Sequence, residues 1–177
     1  GIINPDGTYN QAHEIDQQLY LAALLMALLT TIFYLTARLV LPNVWSSVVA
    51  IGAAFGTPVW STMSRGLWSE TWGVLLAGVV IWMLLASETG RLRLRPLILG
   101  TLLAWTYFVR PTNAILIVAI TVYIAVYYRS IFVKYAATGA VWFALFVLYS
   151  WSHFGKILPN YYRASRLTFE HFGEALA

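Results

Sequence analysis

Six charge-free, mostly apolar stretches follow one another along the chain, at 17–37, 39–64, 71–87, 96–109, 111–128 and 135–155. Charges or turn residues separate them. Apolar runs of about 18 residues or more read as membrane helices, and shorter ones can be completed by residues that line a cavity. The pattern predicts an all-α polytopic membrane bundle of about six transmembrane helices, near 18–40, 44–62, 70–87, 95–110, 112–128 and 134–152. All six fall in one membrane domain over 1–177, with a tail at 153–177 beyond the last span. Pro58 follows Gly56 closely, so the second span is expected to kink or break near its far end. Gly52 and Gly56 form a GxxxG pattern, and Gly73 with Ala77 repeats the small-residue spacing; both read as ordinary helix packing.

Composition supports the membrane setting. Of 177 residues, 60% are hydrophobic and 10% charged, with a mean hydropathy of +0.71. A soluble domain carries about 25% charged residues, so too few are present here to cover a water-facing surface. Eight tryptophans and eleven tyrosines suit two membrane–water interfaces. Without cysteine, disulfides and thiolate metal sites are excluded. The net charge of +4 lies between apolar runs, as the positive-inside rule expects, so nucleic acid is not an expected partner. The chain opens on Gly1 with no basic leader and stops in ordinary sequence at Ala177, which reads as an internal piece of a longer polytopic protein.

The loops give an orientation. One alternate set holds Arg38, Arg91, Arg93, Arg95, Arg129 and Lys134, and the other only Arg65 and Arg110. That bias places the first set in the cytoplasm and both ends of this chain outside. Six of the seven acidic residues, all but Glu88, share the outer side with Arg65 and Arg110.

The shortest run points to a site. Pro96 to Val109 is 14 residues, roughly 21 Å of helix against roughly 30 Å of hydrocarbon. Arg93 and Arg95 can snorkel, but Arg110 is followed at once by Pro111-Thr112-Asn113 and another apolar run. Arg110 is therefore expected to face a polar cavity at membrane depth, where an arginine marks a functional site by default. Three polar clusters meet on that side: Thr57 to Glu70, Arg110 to Asn113, and Leu158-Pro159-Asn160-Tyr161-Tyr162. Cations, an acid, hydroxyls and aromatics around a shallow outer cavity suit an anionic, partly lipidic ligand. The plainer readings are a salt bridge from Arg65 to Glu70, carbonyl capping by Arg110, and an interfacial belt of Trp60 and Trp68. His13-Glu14-Ile15-Asp16 diverges around a helix and completes no metal site, so it reads as a cap for the first span. The chain has no P-loop, GxGxxG or GxSxG motif.

FGTPVWSTMSRGLWSE, then YFVRPTNA at the end of a short span, then FGKILPNYY after a later one, together resemble the GT-C membrane glycosyltransferases. The resemblance is to bacterial relatives of the dolichyl-phosphate-mannose–protein mannosyltransferase family, and covers about Glu14 to Tyr162. It implies a multi-pass enzyme of the bacterial plasma membrane, working at the extracytoplasmic face. The implied donor is a polyprenyl-phosphate-linked sugar, and the acceptor a glycan, lipid or protein of unspecified identity. It further implies that the family's catalytic acid lies in an earlier extracytoplasmic loop, so no residue here is assigned as the base. Arg65 and Arg110 are the candidates for binding the donor phosphate, with Glu70, Asn113, Tyr161 and Tyr162 in support. No soluble cofactor is implied; a divalent metal is compatible with the chemistry, but no ligand spacing supports one. A lipid-linked-sugar flippase is the alternative, and a membrane scaffold a third reading; transporters place polar groups near the midplane in paired broken helices, whereas here they gather at one face.

Overall fold

The computed structural model describes residues 9–67 and 69–157. Every element within them is helical: α1 (Gln11–Ala37), α2 (Asn43–Gly56), α3 (Pro58–Ser61), α4 (Ser69–Glu88), α5 (Pro96–Val109), α6 (Ala114–Tyr127) and α7 (Arg129–Phe154). Two 3-10 turns, Met63–Arg65 and Pro111–Asn113, complete the set.

α1, α4 and α7 are each long and apolar enough to cross a bilayer. α2 and the segment after it make a fourth if taken as one span bent by 47°. The break has the cause expected from the sequence. Thr57 precedes Pro58, which disfavours helical geometry at the residue before it, and Thr57 is extended at φ −128, ψ 172. Arg110 precedes Pro111 and is extended for the same reason, at φ −151, ψ 112. α5 and α6 are therefore separate 14-residue helices, each too short to span as a straight cylinder.

Helix ends move from their expected places where polar residues join the helix. α1 starts at Gln11 rather than 18, because the Asn10 side chain accepts from the His13 amide at 3.0 Å and caps it. The cap is thus Asn10, and Glu14 and Asp16 belong to the first turns of the helix. α7 starts at Arg129 rather than 134, so Arg129 and Lys134 are both helical.

The helices form a row in which α2 packs on α1, α1 on α4, α4 on α5, α5 on α7, and α7 on α6. One core joins α4 to α7 around Val80, Leu99, Leu103 and Ile124; a second joins α1, α3 and α4 around Leu25, Leu29 and Val59. Gly100 sets the closest approach: a Cβ there would meet Thr138 Cβ and the Tyr135 carbonyl at 2.9 Å each. Beside it the Trp142 indole donates to Thr101 at 2.9 Å.

Gly52 and Gly56 do not serve as the expected packing seam. A Cβ on either meets nothing within 4 Å. The buried stripe of α2 is instead Ser46, Ala50 and Ala54, spaced four apart and rotated away from the glycines.

Both ends of α4 are tied to the shorter helices. Glu70, in its first turn, holds Arg110 at the α5–α6 joint. Glu88, in its last turn, accepts from the hydroxyls of Tyr123 and Tyr128 near the α6–α7 joint. At that second end the Arg91 guanidinium also donates to the Arg38 carbonyl at 2.8 Å, joining the α1–α2 and α4–α5 loops. The Arg38 and Arg91 loops thus meet at one end of α4, and Arg110 lies at the other.

Candidate functional site

The charged site is built by the start of α4 and the joint between α5 and α6. Pro111 has no amide to offer the carbonyls that end α5. The last helical bond of α5 is therefore the Arg110 amide to the Thr106 carbonyl at 3.1 Å, and Asn113 Nδ2 donates to that same carbonyl at 3.1 Å. These two bonds fold the joint back on α5 and fix the backbone from which Arg110 projects. Asn113 thereby ties the turn after Pro111 back to the last turn of α5.

From that joint Arg110 Nη1 reaches Glu70 Oε1 at 2.6 Å. The other carboxylate oxygen, Oε2, accepts from Ser69 Oγ at 3.2 Å. Both Glu70 oxygens are engaged, so the carboxylate is held in place and orients the guanidinium. The ion pair is single-pronged, and a guanidinium carries five N–H donors, so most remain for another anion. The side chains are 36% and 38% exposed. At such exposure an ion pair contributes about 0–1 kcal/mol to stability. Folding alone gives little reason to place an arginine here.

The pair stands at one end of a cavity of about 220 Å³ lined by Phe33, Glu70, Gly73, Ala77, Arg110 and Asn113 among others. Glu70, Gly73 and Ala77 recur at helical spacing on one face of α4, with Gly78 and Ile81 continuing the lining. From Glu70 to Ile81 the lining covers about 16 Å of helix, charged at its head and apolar below. Gly73 is there because space is short: a Cβ would lie 3.0 Å from Asn113 Nδ2. Gly73 packs closely, as its spacing predicts, and with Ala77 it also lines this groove. Its spacing from Glu70 was the available signal.

The remaining candidates fall elsewhere. Arg65 is exposed at the end of a 3-10 turn and is not among the residues lining the groove. Its turn is anchored to α4 through buried Thr71, whose hydroxyl lies 3.3 Å from the Met63 carbonyl and 3.4 Å from that of Gly66. The salt bridge considered between Arg65 and Glu70 is replaced by Arg110–Glu70, a pairing forty residues apart that local spacing hides. Tyr161, Tyr162 and Trp68 lie outside the described residues. A larger cavity of about 390 Å³ between α5, α6 and α7 is apolar, with no charged side chain in its lining. Among the described residues, no group of three or more His, Asp or Glu side chains could hold a metal ion.

No protein-family model, curated protein or solved structure matches the chain.

Proposed function

We propose that the chain is part of a membrane glycosyltransferase that takes a sugar from a polyprenyl-phosphate donor and passes it to an acceptor at the extracytoplasmic face. One observation carries this reading above the others. Arg110 sits on a non-helical joint, held by Glu70, at the head of a groove whose floor is cleared of side-chain bulk by Gly73 and Ala77. A charged head over an apolar groove is the shape of a lipid-linked phosphate. The motif resemblance points to the same ligand class.

In this reading an acceptor hydroxyl attacks the anomeric carbon. The bond from that carbon to the phosphate oxygen breaks, and polyprenyl phosphate leaves with the electron pair. A carboxylate to which no residue here is assigned takes the acceptor's proton. Negative charge grows on the leaving phosphate, so a cation held at that point stabilises the transition state more than the ground state. Arg110 supplies it, Glu70 orients it, and Asn113 fixes its backbone. By the motif resemblance alone, Arg65 is a further candidate for the phosphate, and Tyr161 and Tyr162 for the sugar or lipid path. No step here calls on a metal.

The reading also needs six crossings with the Arg110 end outside. α5 and α6 support this, because between them they link the two ends of α4 and so traverse the layer that α4 traverses. The basic residues at the other end set the direction. In cells, Leu92→Cys is therefore expected to resist membrane-impermeant maleimide until the membrane is opened. Labelling from outside in intact cells contradicts the orientation.

A lipid-linked-sugar flippase is the second reading, favoured by the 47° break after α2, since broken helices recur in transporters. The two are separated in proteoliposomes carrying the full-length protein and a radiolabelled polyprenyl-phosphate sugar. Transfer yields free polyprenyl phosphate and a labelled acceptor. Intact donor moved between leaflets, with no phosphate released, supports the flippase instead.

A further inference from the structure

At the end of the bundle opposite Arg110, the α4–α5 loop and the start of α7 line an open cavity of about 420 Å³. Its lining includes Ser87, Arg91, Arg93, Tyr128, Ser130 and Ile131. We propose that this cavity binds the phosphate of an anionic phospholipid in the leaflet on the basic side of the membrane. The proposal rests on the membrane reading alone and not on sugar transfer.

Three features of the cavity converge on a phosphate. Arg91 and Arg93 both line it. Arg91 is steadied by donating one N–H to the Arg38 carbonyl, which keeps its guanidinium near the cavity and leaves further donors. The 26-residue α7 begins at its edge, and no side chain caps that end. Its first-turn residues Ser130 and Ile131 line the cavity; the Ile131 amide already donates to the Tyr128 carbonyl at 3.0 Å, so the helix end adds less than the two arginines. Ser130 also brings a hydroxyl. The acid closest in sequence, Glu88, is not in the lining, and its carboxylate already accepts from Tyr123 and Tyr128. The Tyr128 hydroxyl is committed to Ser87 and Glu88 and serves as wall.

The surroundings select a lipid over free phosphate. Leu92, Leu94 and Ile131 make an apolar side to the cavity. On the adjoining turns of α6 and α7, Val126, Tyr127 and Val133 are exposed, at 51%, 70% and 74%. An acyl chain covers such a surface and a soluble ion does not. Basic pockets between membrane helices on the cytoplasmic side are suited to anionic headgroups for this reason.

Native mass spectrometry of the full-length protein in detergent tests this, with short-chain phosphatidylglycerol and phosphatidylcholine as probes and inorganic phosphate as competitor. Phosphatidylglycerol is expected to be retained in preference to phosphatidylcholine. Arg93→Gln and Ser130→Asp are each expected to weaken phosphatidylglycerol retention about tenfold. Ser130→Asp places an acid in the first turn of α7, where it favours the helix, so a loss there does not come from unfolding. Equal retention of the two lipids by the unaltered protein overturns the proposal, as does unchanged phosphatidylglycerol retention in both variants. Displacement by inorganic phosphate as readily as by lipid makes the ligand a soluble anion and overturns it too.

Discussion

Arg110→Ala in the full-length protein is expected to lower sugar transfer by about 10²–10³ while leaving expression and thermal stability close to unchanged. The rate effect corresponds to losing a charge-assisted contact made mainly in the transition state, about 2–4 kcal/mol. The stability side follows from exposure: a pair 36% and 38% exposed contributes about 0–1 kcal/mol. The backbone of the joint is held independently by the Arg110 amide and Asn113, and neither bond uses the Arg110 side chain. Arg110→Lys is expected to recover part of the rate, since an ammonium keeps the charge but not the fork geometry. Transfer assays paired with thermal unfolding separate the outcomes. Loss of fold in Arg110→Ala assigns the arginine to structure, and a normal rate in a folded variant removes it from the reaction.

The second large effect is on stability. Gly100→Val is expected to cost about 2–3 kcal/mol, because its first carbon would lie 2.9 Å from both Thr138 Cβ and the Tyr135 carbonyl. A backbone carbonyl cannot swing aside as a side-chain tip can, so α5 and α7 must separate. Gly139→Val is the control on the facing helix. A Cβ there meets nothing within 4 Å, and the change is expected to stay within about 0.5 kcal/mol. Comparing the two by thermal or denaturant unfolding checks the contact; equal losses contradict it.

These expectations draw on different layers of the chain. The helices and their breaks are written locally. Charge-free runs mark the long helices, and Pro58 and Pro111 end their neighbours by rules that act within one or two residues. The start of α1 is less legible, because Asn10 caps a helix whose first turns are polar and so lie outside the apolar run. Arg110 stands out in sequence because its run is short. Its partner does not, since Glu70 is brought to it only by the packing of α4 on α5. Arg65 is nearer to Glu70 along the chain but is exposed at the end of its turn. Small residues are ambiguous for a related reason. Gly52 and Gly56 have the spacing of a packing motif but face open space, while Gly73 and Ala77, alike in pattern, line the groove. Pattern gives the face of a helix; only the neighbouring helix decides what that face meets.

The central claim is that Arg110 holds the phosphate of a lipid-linked donor. Its most direct measurement is equilibrium binding of polyprenyl phosphate, the shared product and leaving group, to purified full-length protein and to Arg110→Ala. The account predicts binding by the unaltered protein and at least about tenfold weaker binding by the variant, with matching unfolding temperatures. Equal affinity in two equally stable proteins contradicts it.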